Sequence, residues 1–325
     1  MKFNWFIGID VSKHTLDISI RDLKSVFHVE QIENSEKGLK ACFKDLKRLN
    51  VNIKEALICM EHTGIYCTPV IEIAEKLKLS LWIENASQIK LSIGVQRGKN
   101  DKIDSIRIAE YAYRFQDKAK LKQPDRSSLK ELKALVSARK CLVENLKQLN
   151  VVSKEKDHYS SKALFAKYFK KSIDALKEDL KKIEKKIQLV IKCDERLNEL
   201  YNIVTSVKGI GEVIGVHMII TTNEFKDIND PRKYACYAGV APFEHSSGIS
   251  INGRKRVSRK ANMNTKSLLH MAALIAINHN AELKTFFERK IKEGKAKMNV
   301  INMVRNKLIH RIFACVRDNR KYENI

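Results

Sequence analysis

The N-terminal part of the chain is organised around the segment Phe6-Ile7-Gly8-Ile9-Asp10-Val11-Ser12-Lys13. Its apolar residues surround one glycine, a pattern that predicts a buried β-strand. A single carboxylate, that of Asp10, stands near the end of this strand. Because an ionised carboxylate is rarely buried without a partner, we expect Asp10 to bind a cation together with ligands from elsewhere in the chain.

Strands and helices follow this segment in an order that indicates an α/β domain. Short connections between the first three strand patterns predict an antiparallel meander, after which helix and strand patterns alternate. The predicted strands cover residues 5–11, 15–21, 26–32, 56–60 and 79–83, and a predicted helix covers residues 101–115. This order predicts a five-stranded mixed sheet with helices on both faces, as in RNase H-like nucleases.

The charge balance indicates a polyanionic partner. Lys and Arg number 62 against 38 Asp and Glu, so the 325-residue chain carries a formal net charge of +24. Such an excess suits nucleic acid, whose condensed counterions Lys and Arg displace; a basic surface without a partner is the alternative. We expect no membrane partner, because no run approaches ~18 apolar residues and no signal peptide is recognisable.

The seven cysteines are scattered through the chain without any C-x-x-C pair. This usage is typical of reduced thiols that serve as small core residues, so neither a disulfide framework nor a zinc site is expected. We therefore expect a cytoplasmic location.

Four carboxylates occupy positions that suit metal binding. Asp10 closes the first strand, and Glu61 closes the strand that follows the first long helix. Asp101 and Asp104 lie three residues apart at a helix start, so they share one helix face, although the helix dipole alone also favours acids there. Four such oxygen donors suit two Mg²⁺ ions about 3.5–4 Å apart, which orient a nucleophile and stabilise a leaving oxygen at phosphate.

A helical segment occupies the middle of the chain. Leu135, Leu142 and Leu149 fall seven residues apart, and a second apolar series steps by three and four residues from Ile173 to Val190. This spacing predicts a coiled-coil seam whose outer faces are covered by lysines and glutamates. An intramolecular helical hairpin and a dimerisation arm satisfy the pattern equally well, and either one is a spacer or assembly element.

The C-terminal part holds two features typical of nucleic-acid binding. The first is a glycine-containing segment, Lys208-Gly209-Ile210-Gly211, which resembles the hairpin of a helix-hairpin-helix motif. Glycines there let backbone N–H groups approach a phosphate, whereas a plain tight turn is the alternative. The second is a stretch without acids that is rich in basic residues: Arg254, Lys255, Arg256, Arg259, Lys260 and Lys266.

Ser246 and Ser247 precede Gly248, just upstream of this basic stretch. A serine beside a glycine usually serves turn formation. Next to a stretch that attracts phosphate, in a chain with a separate metal site, a serine could instead attack phosphorus once its proton is removed. The sequence contains no recognisable Ser-His-Asp catalytic set, although His245 directly precedes these serines.

Five motifs stand in one order along almost the whole chain: Gly8-Ile9-Asp10-Val11-Ser12-Lys13, Glu61-x-Thr63-Gly64, Asp101-Lys102-x-Asp104, Gly209-x-Gly211, and Ala238-Gly239-Val240-Ala241-Pro242 with Ser247-Gly248. The set resembles the DEDD-type transposases of bacterial insertion sequences. That family is related to pilin-gene invertases, and some of its members are guided by a structured bridge RNA. The chain departs from the family at Asn100, where threonine is common, and at Ala261, where glycine is usual.

The resemblance implies three segments. They are a RuvC-like (RNase H-like) domain over residues 1–120, a helical coiled-coil region over 121–200 and a mainly α-helical transposase domain over 201–325. It also implies a phosphoserine link between the protein and DNA, formed by Ser247, with Ser246 as the second choice. The implied Mg²⁺ ligands, which would also accept Mn²⁺, are Asp10, Glu61, Asp101 and Asp104.

The implied partners are donor and target DNA, a bridge noncoding RNA, and further copies of the chain in a dimer or tetramer. Composite active sites could then pair the acids of one subunit with the serine of another. The implied location is the nucleoid of the bacterial cytoplasm.

We therefore predict a recombinase that cuts and rejoins DNA at an insertion element. A metal-only, structure-selective nuclease similar to a Holliday-junction resolvase is the first alternative, because it needs the acids alone. The second alternative is a non-catalytic nucleic-acid-binding protein in which the acids are only polar residues at strand and helix ends.

Overall fold

The structure is a computed structural model that describes residues 3–94, 101–154, 162–247, 251–258 and 260–323. Residues 27–29, 93, 152–154, 162–166, 244–247 and 251–256 are described by their backbone only. The chain divides into two units, Met1–Pro124 and Asp125–Ile325, and each is described here by itself.

The first unit contains the predicted five-stranded mixed sheet, in the order β3-β2-β1-β4-β5. Pairing is antiparallel between β1 and β2 and between β2 and β3, and parallel between β1 and β4 and between β4 and β5. The strands are β1 (Trp5–Val11), β2 (Thr15–Arg21), β3 (Val26–Glu33), β4 (Ala56–Glu61) and β5 (Ser80–Glu84). The helices are α1 (Glu36–Arg48), α2 (Thr68–Lys76), α3 (Ala86–Ile93) and α4 (Asp101–Arg114).

Alternation along β1 gives this sheet a core on each face. Ile7 and Ile9 pack with Leu39 of α1 in one buried cluster, whereas Phe6 packs with Ile108 of α4 in a second cluster. Because successive side chains of a strand point to opposite faces, one short apolar strand supports helices on both sides of the sheet. The result is the α/β architecture that the order of the elements predicted.

Gly8 of β1 allows α4 to lie unusually close to the sheet. A Cβ atom at this position would stand 2.2 Å from the carbonyl oxygen of Ser105 and 2.3 Å from the backbone nitrogen of Ala109. Both atoms belong to the backbone of α4, so neither can rotate away. The glycine therefore sets the distance between α4 and β1, and with it the position of the acids in the first turn of α4.

Gly8→Ala is expected to lower the free energy of unfolding by about 3 kcal/mol, because the added methyl group must push α4 away from β1. Chemical denaturation of the purified chain, followed by circular dichroism, measures this loss. Gly211→Ala is the matched control, since a Cβ at Gly211 would meet no atom within 4 Å. A loss for Gly8→Ala no larger than that of the control would contradict the close packing.

The second unit is mainly helical and carries one two-stranded hairpin, formed by β6 (Phe243–Ser247) and β7 (Ile251–Arg256). Its helices are α5 (Ser127–Lys154), α6 (Lys162–Cys193), α7 (Glu195–Thr205), α8 (Glu212–Thr221), α9 (Pro231–Tyr237), α10 (Met263–His279), α11 (Ala281–Lys292) and α12 (Lys297–Arg317). None of the helices in the described ranges is long and apolar enough to cross a membrane.

The helical middle of the chain shares a core with the C-terminal helices. Leu129 of α5 and Ile187 of α6 belong to the same buried cluster as Ile312 of α12. α5 and α6 also pack against each other within the chain, which is the arrangement of an intramolecular hairpin. Whether the pair additionally joins two chains, and whether residues 121–200 act as a segment of their own, stay predictions.

A buried charge network holds the start of α5 to the turn that follows α8. The Arg126 guanidinium pairs with Glu224, whose side chain is fully buried, and with Asp194 at 2.9 Å. Lys226 Nζ lies 2.6 Å from the second Glu224 oxygen. Glu224 itself has a left-handed backbone, with φ +58°, and Phe225 after it has φ +62°. The ion pairs therefore stabilise a turn that non-glycine residues rarely adopt.

Arg126→Ala is expected to lower the free energy of unfolding by about 2 kcal/mol, because it leaves the buried Glu224 carboxylate with Lys226 alone. Burial by itself would raise the pKa of Glu224, but hydrogen bonds from Arg126 and Lys226 hold it below its ordinary value of 4.5. A lowered pKa in the folded state stabilises the protein above the ordinary value, and this contribution is lost as the pH falls through the folded-state pKa.

Denaturation of wild type and Arg126→Ala at pH 7 and at pH 3 measures this effect. The difference between the two proteins should shrink at the lower pH. The control is Arg196→Ala, which breaks an exposed pair with Glu199 within α7 and should cost less than about 0.5 kcal/mol. A difference that is the same at both pH values would contradict the assigned role of Glu224.

Candidate active site

Asp10 and Glu61 lie side by side at one edge of the sheet. β1 and β4 are parallel neighbours whose register pairs Ile9 with Met60, so the next residues along the two strands are these acids. Both side chains are half-buried. Because the carboxyl ends of parallel strands share one sheet edge, the structure brings the two residues together.

Asp101 and Asp104 occupy the first turn of α4, three residues apart. α4 packs across β1, and its close approach at Gly8 fixes where this turn lies over the sheet. Arg107 donates a hydrogen bond of 2.8 Å to Asp104, so part of the charge of Asp104 is paired within the helix. The helix start thereby presents two acids near the end of β1.

Burial and the charges of the other acids act together on Asp10. Its pKa is raised to about 6, first by burial and then by the negative charges of Asp101, Asp104 and Glu61. Like charges held this close destabilise the ionised form of each group unless a cation compensates them. Asp10 therefore lies within the influence of three further carboxylates, one on β4 and two on α4.

Two further acids extend this group, and the sequence patterns did not single them out. Glu84 follows the apolar part of β5 and pairs in register with Glu61, and Asp17 of β2 pairs with Asp10. Tyr111 of α4 donates a hydrogen bond of 3.3 Å to Glu84. The available signal for Glu84 was its place at a strand end, which it shares with Asp10 and Glu61.

The donor set of this group suits a divalent cation. Carboxylate oxygens are the ligands that Mg²⁺ and Mn²⁺ prefer, and the raised pKa of Asp10 is the expected property of a cluster of like charges. Within the part of the chain that the structure describes, no three His, Cys, Asp or Glu side chains stand close enough to hold a metal ion ready-made. The acids suit a divalent cation chemically, and binding of the cation would draw their side chains together.

Ser247 is the last residue of β6 and pairs in register with Ile251 of β7. Ser246 pairs with Asn252, one step further from the hairpin end. Gly248 lies outside the described residues. The backbone therefore places both candidate serines where the hairpin turns, in the second unit, whereas the acids belong to the first.

The predicted basic cluster is distributed over this hairpin and the start of α10. Arg254, Lys255 and Arg256 form the last part of β7, and Arg259 lies outside the described residues. Lys260 is exposed, and Lys266 is half-buried in α10. Ala261, where the family usually has glycine, has no positive φ, so this turn does not require glycine.

The predicted helix-hairpin-helix corresponds to α7, a turn and α8. Lys208 is exposed in this turn, and Gly211 is the N-cap residue of α8. Gly209 has φ +96°, and a Cβ there would stand 2.7 Å from the carbonyl oxygen of Ala272 in α10. Packing against α10 therefore accounts for Gly209, and a phosphate contact at this turn stays a prediction.

A buried polar network holds the beginning of α10. His217 Nε2 lies 2.7 Å from the hydroxyl of Thr265, and Asn262 caps the helix while donating a 2.8 Å hydrogen bond to the Tyr237 hydroxyl. The pKa of His217 is lowered to about 4, first by burial and then by the charge of Lys140. His217 is therefore a neutral structural residue at physiological pH, which no sequence pattern indicated.

Two family models match consecutive parts of the chain. A model described as "Transposase", of the DEDD type of IS110, matches residues 7–154. A model described as "Transposase IS116/IS110/IS902 family" matches residues 201–288. The first match contains the acids, and the second contains the hairpin with Ser247 and the basic stretch.

Curated relatives agree with these matches. A pilin gene-inverting protein of Moraxella bovis is 24% identical over 323 residues, which cover 98% of this chain and 97% of the relative. The pilin gene-inverting protein of Moraxella lacunata is also 24% identical over 323 residues. A 43.6 kDa protein of insertion element IS110 from Streptomyces coelicolor is 26% identical over 153 residues, which cover 47% of this chain and 36% of the relative.

The mixed sheet, the group of acids and these matches define a DNA transposase or recombinase. Such an enzyme acts on DNA, and the DEDD type is generally dependent on a divalent metal. Over residues 7–154 and 201–288, the chain is similar to transposases of the IS110/IS116/IS902 family.

Proposed function

We propose that this transposase cleaves and rejoins DNA at an insertion element through a phosphoserine intermediate, with Mg²⁺ at its acids and a bridge noncoding RNA as guide. The proposal is supported by the placement of Asp10 and Glu61 at one sheet edge, with Asp101 and Asp104 in the first turn of the helix that packs on β1. Catalysis of phosphoryl transfer depends mainly on fixed charges that stabilise the transition state. The acids can provide these charges by holding a cation in place.

Asp10, Glu61, Asp101 and Asp104 would hold a divalent cation, whose charge would offset that of the scissile phosphate and stabilise the leaving oxygen. Asp10 and Glu61 are anchored on neighbouring strands, so the sheet keeps their separation nearly constant. Asp101 and Asp104 are carried by α4, whose position over Gly8 is fixed by backbone contact. Rigid elements therefore support every proposed ligand.

The hydroxyl of Ser247 is the proposed nucleophile. Its oxygen forms a bond to phosphorus while the bond from phosphorus to one deoxyribose oxygen breaks, so the number of phosphoester bonds is kept. The serine proton passes to a general base, and the leaving oxygen gains a proton. Attack by a hydroxyl of another DNA end then releases the serine and rejoins the strands.

The charge of the chain supports binding of DNA and of a guide RNA. A net charge of +24 predicts affinity for polyanions that falls steeply with salt concentration. Lys208 and the basic residues 254–266 are the proposed contacts, and both sets lie in the second unit. We propose further that the protein works as a dimer or tetramer on the nucleoid of the bacterial cytoplasm.

The function is tested by strand exchange between supercoiled donor and target plasmids, with purified protein and RNA that copurifies with it from cells carrying the whole element. Recombinant product that requires Mg²⁺ and disappears after ribonuclease treatment is the expected result. Recombinant product that still forms after ribonuclease treatment would overturn the role of a guide RNA and leave the rest of the proposed function standing. Cleavage without rejoining and without protein attached to DNA would favour the metal-only nuclease instead.

A further inference from the structure

Asp17 is a buried acid to which the proposed mechanism gives no role. It lies in β2, directly opposite Asp10 in the antiparallel pairing with β1, and only 1% of its surface is exposed. Its strand alternates apolar and polar residues, a pattern typical of a sheet with one face in water. α4 covers that face, as shown by the 2.7 Å hydrogen bond between Ser19 of β2 and Ser105 of α4.

Among the residues that the structure describes, one of the two Asp17 oxygens has a hydrogen-bond partner and the other has none. Gln31 of β3, which is opposite Asp17 in the sheet, donates a 3.0 Å hydrogen bond to Oδ2. Oδ1 is buried and has no hydrogen-bond partner among the described residues. An orphaned oxygen of a buried carboxylate is costly, and native structures nearly always provide a partner for it.

The neighbours of Asp17 do not supply that partner. The Ser19 hydroxyl, which follows on the same strand face, is engaged with Ser105. Asp10, on the other side, carries charge of the same sign, and like charges directly opposite each other in a sheet are destabilising. The missing partner of Oδ1 is therefore a cation or a hydrogen-bond donor, and Asp10 opposite Asp17 is the neighbouring group that would attract a cation.

A hydrated divalent cation meets both requirements. Mg²⁺ usually keeps several of its water ligands in proteins, and these waters donate hydrogen bonds to outer carboxylates. Register partners across the sheet run from Gln31, which donates to Oδ2 of Asp17, through Asp17 to Asp10. Glu61 follows the last paired residue of β4, beside Asp10. Asp17 thus stands one strand outside the proposed ligands, where an outer-shell partner belongs.

We propose that Asp17 is a positioning residue of the cation site, whose Oδ1 accepts a hydrogen bond from a water molecule bound to the divalent cation at Asp10. This inference rests on the cation site of the proposed function but concerns a residue that none of the motifs includes. It explains why an acid is retained under α4, where an apolar residue or an amide would avoid the charge beside Asp10.

The test is the affinity of the full-length protein for Mg²⁺ and, separately, for Mn²⁺, measured by calorimetric titration and by the cation-induced rise in melting temperature. Asp17→Asn keeps the size of the side chain and an oxygen for Gln31 but removes the charge. We expect about a tenfold weaker affinity for either ion and a smaller rise in melting temperature, the usual scale for loss of an outer-shell partner. Without divalent cation, this variant should be at least as stable as wild type.

Ser19→Ala is the matched control, because it removes another buried polar group from the same strand face under α4. It should lower the melting temperature and leave the cation affinity within twofold of wild type. An equal loss of affinity in both variants would assign the effect to loosened packing of α4 and would overturn the role of Asp17.

Asp10→Asn separates this inference from the proposed function. If Asp10→Asn loses cation binding and Asp17→Asn retains wild-type affinity, the role of Asp17 is wrong and the cation site stands. If Asp10→Asn also retains wild-type affinity, the cation site itself is wrong, and the role of Asp17 is wrong with it.

Discussion

Asp10→Asn is expected to lower the rate of DNA strand cleavage by roughly a thousandfold or more. Asp10 is the member of the acidic group on which the charges of Asp101, Asp104 and Glu61 all act. An amide at this position removes the carboxylate that the others surround, so the group loses both a ligand and part of its attraction for a divalent cation. Nicking of supercoiled plasmid in Mg²⁺, followed over time, measures the effect.

The fold should survive this substitution. Without divalent cation, the melting temperature of Asp10→Asn should equal or exceed that of wild type, since the folded state no longer holds this negative charge among the others. Asp45→Asn, on the exposed surface of α1, is the control and should cleave at the wild-type rate. Wild-type cleavage by a folded Asp10→Asn protein would refute the role of the acidic group.

Ser247→Ala is expected to abolish the covalent adduct between protein and DNA and to lower strand exchange by roughly six orders of magnitude, the scale seen when a nucleophilic serine is removed from an enzyme. The reason is chemical, because an alanine side chain has no oxygen to form the bond to phosphorus. The measurement is a denaturing gel of end-labelled DNA, on which an adduct migrates with the protein.

Ser246→Ala provides the comparison for this experiment. The two serines are adjacent in β6 and pair with consecutive residues of β7, so both substitutions perturb the same hairpin. We expect Ser246→Ala to retain the adduct. If the adduct disappears in Ser246→Ala and persists in Ser247→Ala, the nucleophile is Ser246; if it persists in both variants, the serine mechanism is wrong. Binding of DNA, measured by gel shift, should be unchanged in both.

The elements of the first unit were predictable because their signals are local. Period-two alternation and apolar runs located the strands to within about one residue, as for the predicted strand 79–83 and the observed β5 (Ser80–Glu84). The hairpin of β6 and β7 lacks such a signal, because Phe243-Glu244-His245-Ser246-Ser247 is mostly polar. Its strands exist through pairing with each other, which the side-chain pattern of either segment alone does not reveal.

The proposed site also has a part that local sequence signals predict and a part that they do not. Asp10, Glu61, Asp101 and Asp104 were visible in the sequence, since a carboxylate at the end of an apolar strand or in the first turn of a helix is marked by its neighbours in the chain. Their meeting was an inference from topology, and the register of β1 with β4 now places the first two side by side. Gly209 had a local signal too, but its close contact with α10 explains the glycine through packing.

Sequence alone established the mixed sheet, the helical remainder and the strand that carries Asp10, because hydrophobic periodicity records which way each side chain faces. Tertiary structure established which polar groups are buried. Asp17 has the pattern of a solvent-facing residue and is buried only because α4 lies over its strand face at the distance that Gly8 permits. Likewise, Glu224 lies in a left-handed turn that Arg126 holds from 98 residues away. The environment of a charge depends on what packs over it, and residues distant in the chain provide that packing.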